Sequence, residues 1–150
     1  MTVEEYLGRY RKLDIQIGQL RSQIEELMTT LTGITVDPSK EFVDGSGGAD
    51  KFSLIDDLIR IEEELGRKLI EATVLKGQIT LQIQSLDDPR YVWVLYRRYV
   101  DLMKWEEIAP HDPRKALPPF FPAYDTAKKW HTEAKKAFAD KFGTQIHTLM

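Results

Sequence analysis

The side chains best suited to catalysis in this chain are acidic, and they occur in three groups, Asp56-Asp57, Glu62-Glu63-Glu64 and Glu106-Glu107. Neighbouring carboxylates can transfer protons or hold magnesium. Each group falls on the polar face of a predicted helix, and neither a glycine-rich phosphate loop nor a constellation of residues that would activate a nucleophile is recognisable nearby in the sequence. We therefore interpret these groups as solvated helix faces, and we predict no enzyme activity and no cofactor.

The histidines and the lack of cysteine argue against a metal site. His111, His131 and His147 are not spaced as ligands of one metal ion, and the chain contains no cysteine. A structural zinc site takes about four nitrogen or sulfur ligands close together. We therefore predict no bound metal and no disulfide. The absence of cysteine fits a protein of a reducing compartment.

Composition and charge indicate a folded protein whose charge is unevenly distributed. Apolar residues make up 42% of the 150 residues, and the formal net charge is −3. Residues 1–86 carry 10 basic and 15 acidic side chains, whereas residues 87–150 carry 11 and 9. The longest apolar run covers only residues 91–96, and about 20 are needed to span a bilayer. The acidic start is unlike a signal peptide, so we predict a cytoplasmic protein with no membrane partner.

The N-terminal residues predict one long helix. Thr2 and Glu5 have the spacing of a capping box, which places the first helical residue at Val3. A helix over residues 3–31 would be about 43 Å long at about 1.5 Å per residue, so it needs a partner. Its apolar residues recur in steps of four and three, the heptad pattern of paired helices: Tyr6, Tyr10, Leu13, Ile17, Leu20, Ile24, Leu27 and Leu31.

A second long helix is predicted after a loop. Residues 32–52 contain a proline and a Gly-Ser-rich run, a composition typical of a mobile connection. Ser53 can cap a helix that runs to about Ser85 and carries a second heptad seam. Lys68 and Gln82 are polar positions in that seam, and we expect them to reach its edge or to mark where pairing ends.

Together these helices predict a coiled-coil hairpin over residues 1–86, most simply antiparallel, although a loop of this length also permits parallel or exchanged pairing. The oligomerisation residues inferred from the seams are Leu13, Ile17, Leu20, Ile24, Leu58, Ile61 and Leu65. Further apolar residues lie outside the seams: Ile15, Met28, Ile55, Ile59, Leu69, Ile70, Leu81 and Ile83. Pairing of two hairpins as a four-helix bundle would cover them, which predicts a homodimer.

Residues 87–150 predict a compact group of shorter helices. Asp88 can cap a helix that begins at Pro89, because its carboxylate accepts the free N–H groups of the first turn. A single apolar-anchored turn, Trp-Glu-Glu-Ile-Ala, follows at residues 105–109. The prolines of residues 110–122 cannot belong to a continuous helix.

The last helix is predicted to begin at Asp125 or Thr126 and to end near Gly143. Its expected apolar face consists of Ala127, Trp130, Ala134, Ala137 and Phe138. The basic residues lie on its other faces, and residues 125–141 carry five lysines and three acids, a net charge of +2. The predicted fold is therefore all-α.

Three segments, in this order, resemble phage transcriptional regulators of the RinA/ArpU-like kind. The first is Gly45-Ser46-Gly47-Gly48-Ala49-Asp50-Lys51 with Ile61-Glu62-Glu63-Glu64 after it. The second is Leu86-Asp87-Asp88-Pro89-Arg90-Tyr91, followed by Tyr96-Arg97-Arg98-Tyr99 and Trp105-Glu106-Glu107-Ile108-Ala109. The third is Ala127-Lys128-Lys129-Trp130-His131-Thr132-Glu133-Ala134. The chain departs from the family at residues 110–122, where the family has a tight turn.

The resemblance implies a helix-turn-helix like that of sigma-factor region 4 at the C-terminus. It also implies binding to double-stranded promoter DNA, control of late phage genes and contact with host RNA polymerase. In such a fold the second helix enters the major groove and basic side chains meet phosphates. The implied DNA-binding residues are Tyr124, Thr126, Lys128, Lys129, Lys135, Arg97 and Arg98. From composition alone, a solvated lysine face remains the alternative interpretation.

A second function is compatible with the same sequence. The negative net charge, the proline-rich segment at 110–122 and the Phe120-Phe121 pair within it also fit a phage-borne inhibitor or adaptor that binds a host protein and has lost DNA binding.

Overall fold

The computed structural model describes residues 1–36, 46–112 and 122–148, and every regular element within these ranges is helical. The elements are α1 (Val3–Leu7), α2 (Arg9–Val36), α3 (Ser46–Gln84), α4 (Pro89–Leu95), a π-helical turn (Tyr96–Val100), α5 (Trp105–Ile108) and α6 (Tyr124–Thr148). The predicted all-α fold, a long N-terminal helical hairpin followed by shorter C-terminal helices, is confirmed. Among the described helices, none has the length and apolarity to cross a membrane.

The chain divides into two compact units. The hairpin unit is Leu13–Ala72, and the bundle unit combines Met1–Lys12 with Thr73–Met150. The sequence placed a boundary at residue 86, whereas the structure groups both ends of residues 1–86 with the C-terminal helices. The reason is apolar burial: Tyr6 and Ile83 are almost completely buried, and the ring of Tyr6 lies 5.9 Å from that of Phe138.

In the hairpin unit, α2 packs against α3. Leu27 of α2 and Ile61 of α3 line one groove. All seven residues predicted for oligomerisation are buried or half-buried within the single chain: Leu13, Ile17, Leu20, Ile24, Leu58, Ile61 and Leu65. The heptad seams therefore serve the packing of α2 on α3.

The apolar residues outside the seams have different fates. Most are exposed, and Ile70 and Leu81 are about 70% exposed (69% and 71%). Ile55 is half-buried. The expectation that Ile83 lies on an open flank is wrong, because it is completely buried in the core of the bundle unit.

The start of the chain differs from the predicted single helix. The capping box of Thr2 and Glu5 is present, but Gly8 separates α1 from α2. A Cβ atom at Gly8 would lie 2.8 Å from the carbonyl oxygen of Glu4, so the chain approaches itself closely here. The first turns run antiparallel to the end of α3, since Tyr6 Oη donates to Gln82 Oε1 at 3.0 Å and Lys76 lies over the Tyr10 ring.

The predicted loop at 32–52 is wrong in extent. α2 continues to Val36, and α3 begins at Ser46, so Ser53 lies inside a helix instead of capping one. Adding residues to an existing helix costs less free energy than nucleating a new helix. This difference offsets the low helix propensity of the glycines at the start of α3. The rest of this loop, residues 37–45, lies outside the described residues.

The seam exceptions Lys68 and Gln82 behave differently. Lys68 is half-buried and lies 3.8 Å from Glu71, so it reaches the edge of the seam. Gln82 is buried, accepts from Tyr6 and donates to Gln145 Oε1 at 2.8 Å. A buried amide is tolerated here because it is hydrogen-bonded on both sides.

α4 begins as predicted, with the Asp88 side chain accepting from the Arg90 N–H at 2.9 Å. Its continuation is a π-helical turn, which the sequence did not predict, and the turn is followed by Leu102 at φ 58°. Val94 and Leu95 at the end of α4 are buried, as are Tyr99 and Val100 within the π-helical turn, whereas Val92 and Tyr96 are only half-buried.

α6 begins at Tyr124 and continues to Thr148, beyond its predicted end near Gly143. Packing of the last turns accounts for the extension, since Ile146 is buried and Gln145 is hydrogen-bonded to Gln82. The buried residues of α6 are Ala127, His131, Ala134, Phe138 and Ile146, whereas Trp130 and Ala137 are half-buried.

Candidate nucleic-acid interface

α6 is anchored by one face, and this orientation decides which side chains are free to bind. Ala127, Ala134 and Phe138 are completely buried. In the first two turns, Thr126, Lys128 and Lys129 are exposed, as is Asp125. The leading half of the helix therefore presents a basic face to solvent, held in place by apolar packing on the opposite side.

Tyr124 begins α6 in a different environment. It is half-buried, and its ring stacks on that of His111 with the centroids 3.9 Å apart. Tyr124 is therefore partly engaged within the protein. The predicted insertion at 110–122 is described only at its ends, and residues 113–121 lie outside the described part of the chain.

Three of the predicted residues, Arg98, Lys128 and Lys135, lie together in one cleft of about 480 Å³. We call it the basic cleft. The helices α1, α2, α5 and α6 and the π-helical turn each contribute to it. Its lining residues are Glu4, Gly8, Arg11, Arg98, Tyr99, Trp105, Lys128, His131, Thr132 and Lys135.

The ring of Trp105 organises two of the cations in the basic cleft. The Arg98 guanidinium carbon lies 5.2 Å from the ring centroid and Lys128 Nζ lies 4.3 Å from it. Both distances are within the range of cation–π attraction, about 6 Å. Arg98 also donates from Nη1 to the carbonyl oxygen of Met103 at 3.0 Å, so these two charges are held in place without an acidic partner in these contacts.

The one carboxylate in the cleft belongs to Glu4. Lys135 Nζ donates to Glu4 Oε1 at 2.5 Å. This hydrogen bond holds the pKa of Glu4 below its usual value. Burial and the neighbouring charge of Arg11 lower the pKa of Arg98.

Arg97, Thr126 and Lys129 are not part of the basic cleft. Arg97 is the sequence neighbour of Arg98, but it forms an ion pair with Asp101 at 2.9 Å and lines a separate groove with Trp93 and Tyr96. The structure thus brings together only some of the predicted DNA-binding residues.

A buried polar pair lies at the floor of the basic cleft. The Tyr99 hydroxyl is 2.7 Å from His131 Nε2, and the His131 ring packs edge-on against Trp105 at 4.7 Å. Burial, together with nearby Lys135, lowers the pKa of His131 to about 4. Burial also raises the pKa of Tyr99, so at neutral pH the hydroxyl can donate to a neutral imidazole.

This pair predicts a loss of stability in mild acid. In the unfolded chain His131 is protonated below about pH 6.5, whereas in the folded chain it is protonated only below about pH 4. The free energy of unfolding therefore decreases as the pH falls from 6.5 to about 4. The upper limit of this decrease is about 3 kcal/mol, and solvent screening reduces it to about 2 kcal/mol. Urea unfolding at several pH values should show that His131→Gln removes this part of the pH dependence.

The comparison between wild type and variant isolates His131 because the other groups around it are unchanged. Glu4, Arg98, Lys128 and Lys135 face it, and Glu4 loses its own contribution in acid in both proteins. Parallel stability curves for the two proteins from pH 7 to pH 4 would contradict a buried, neutral His131.

Sequence reasoning missed Glu4, Arg11 and His131 as members of this site. Glu4, Gly8 and Arg11 follow a helical spacing of four and three, which places them on one face. The hydrogen bond between Glu4 and Lys135 of α6 joins positions 131 apart in the chain, and no local pattern indicates such a contact. Among the described residues, no three His, Cys, Asp or Glu side chains lie together in a way that could hold a metal ion.

Comparisons of the chain with protein-family models, with curated proteins and with solved structures return no match.

Proposed function

We propose that this chain is a phage-encoded, DNA-binding transcriptional regulator of the late-gene activator type. It acts as a homodimer in the cytoplasm of the host bacterium, on promoter DNA where it meets host RNA polymerase. The observation that carries the proposal is the exposed basic face at the leading half of α6, with Thr126, Lys128 and Lys129 outward and the opposite face buried.

Charge geometry supports DNA as the ligand. Affinity for DNA comes mainly from cations that neutralise backbone phosphates. Lys128 of α6 lines the basic cleft together with Arg98 and Lys135, so cations are concentrated at this cleft although the whole chain is acidic. Exposed polar residues at the start of a helix docked in the major groove can reach base edges.

DNA retardation tests the proposal directly. The full chain is incubated with duplexes from promoters flanking its gene and with a duplex of scrambled sequence, at about 50 mM salt, where phosphate contacts bind tightly. We expect retardation of both duplexes, with the promoter duplex bound at lower protein concentration. Failure to retard either duplex at this permissive salt concentration would overturn the proposal.

The alternative, an inhibitor or adaptor that binds a host protein, is favoured by one observation in the hairpin unit. Phe52, Ile59 and Ile70 are exposed by 72%, 48% and 69%. They are separated by 7 and 11 residues, which correspond to about two and three helical turns, so they form one apolar stripe on α3. Apolar stripes of this kind bind other protein surfaces.

Under the main proposal the same stripe joins two copies of the chain. Ile59→Lys combined with Ile70→Lys should weaken self-association by about 100-fold or more, because each change places a charge in an apolar contact. Sedimentation equilibrium measures the effect. Gln16→Lys with Gln19→Lys adds the same charge at exposed positions of α2 and should leave the dimer intact. A wild-type chain that is monomeric at all concentrations would contradict the proposed dimer.

A further inference from the structure

We propose that the basic cleft is a binding site for a phosphate group, held by the guanidinium groups of Arg11 and Arg98. This inference does not depend on DNA binding, because a free phosphate ester and a backbone phosphodiester present the same chemistry. It rests on an unsatisfied donor, on the balance of charge and on the size of the cleft.

The unsatisfied donor is Arg11 Nη2. This atom is buried, and it has no hydrogen-bond partner among the residues that the structure describes. A buried charged donor without a partner is costly, and such groups are normally paired. Arg11 lines the basic cleft, so an anion in the cleft is placed to satisfy it.

The balance of charge in the cleft also favours an anion. Arg11, Arg98, Lys128 and Lys135 line it together with the single carboxylate of Glu4. Lys135 is paired with that carboxylate, which leaves three cations facing the same space. Guanidinium groups match the geometry of phosphate oxygens and can donate to two of them at once.

The dimensions of the cleft fit a group larger than the phosphate itself. Its volume of about 480 Å³ falls in the range of small-molecule sites, about 300–1,000 Å³. A phosphate bound between Arg11 and Arg98 would therefore leave room for an attached sugar. This size admits both a free phosphate ester and one nucleotide of a DNA strand.

Thermal unfolding tests the site in the full chain. Inorganic phosphate at about ten times its Kd should raise the Tm by about 3–6 °C relative to sodium chloride of the same ionic strength. Arg11→Gln should abolish this rise, and without phosphate it should melt no lower than wild type, because it removes an unpaired charge that repels Arg98. The matched control is Arg21→Gln, an exposed residue of α2, which should respond to phosphate as wild type does.

Side-chain NMR of the arginine Nε–H groups identifies the source of the phosphate and does not depend on variant stability. Wild-type protein is titrated separately with inorganic phosphate and with a short duplex of arbitrary sequence. Shifts of the Arg11 and Arg98 signals by both ligands support a site for a DNA backbone phosphate, and shifts by inorganic phosphate alone support a free phosphate ester. The proposal is overturned if neither ligand shifts these signals, or if Arg11→Gln keeps the rise in Tm.

Discussion

Phe138→Ala should lower the free energy of unfolding of the bundle unit by about 3–5 kcal/mol, the cost of deleting a large buried side chain and leaving a cavity. Phe138 is completely buried. Its ring lies 5.9 Å from Tyr6 and 4.8 Å from Phe142, so it joins α6 to α1. Because domains are stable by only about 5–15 kcal/mol, the loss is a large fraction of the total.

Urea unfolding followed by tryptophan fluorescence measures this effect specifically. All three tryptophans, Trp93, Trp105 and Trp130, belong to the bundle unit. Val74→Ala is the matched control, since Val74 lies in the same unit but is 66% exposed, and it should change stability by less than about 0.5 kcal/mol. A loss below about 1 kcal/mol for Phe138→Ala would contradict the packing of α6 on the N-terminal helix.

Lys128→Glu combined with Lys129→Glu should weaken DNA binding by about 100-fold or more at low salt, since two phosphate-neutralising cations become anions that repel the backbone. Both side chains are exposed on the leading half of α6. Fluorescence anisotropy with a labelled duplex gives the Kd. Because neither lysine is buried, the substitutions should leave the fold intact, and a change in Kd then reports on DNA contacts.

A charge-matched variant separates a local effect from a general one. Arg21→Glu with Lys51→Glu alters two exposed residues of the hairpin unit and changes the net charge by the same amount. This variant should bind DNA within about threefold of wild type, because neither residue belongs to α6 or lines the basic cleft. Equal weakening by both pairs would show that net charge, rather than the face of α6, governs binding.

The parts of the fold that the sequence predicted correctly depend on local chemistry. Asp88 and Pro89 start α4 because a cap and a fixed φ act within one turn. Thr2 and Glu5 start α1 for the same kind of reason. The heptad steps predicted the packing of α2 on α3 because the apolar period of a helix is read directly from residue spacing.

The parts that were not predicted depend on tertiary contacts. Packing of Ile146 extends α6 past Gly143, although glycine usually favours a helix end. The π-helical turn changes which residues between Tyr96 and Val100 face inward. No pattern in the sequence indicates either feature.

The candidate site was predicted only in part for the same reason. Arg98, Lys128 and Lys135, which line the basic cleft, were among the DNA-binding residues that the family resemblance implied. Arg11 and Glu4 come from the start of the chain and reach α6 only through the fold. His131 was considered only as a metal ligand, whereas its burial beside Tyr99 depends on the packing of α6.

The salt dependence of DNA affinity tests the central claim, that exposed cations on α6 neutralise backbone phosphates. The slope of log Kobs against log salt is about −0.9 for each phosphate neutralised. We expect a wild-type slope of about −2 to −4, and a slope about 2 units shallower for Lys128→Gln combined with Lys129→Gln. A slope that this pair leaves unchanged, or a wild-type slope near zero, would contradict the claim.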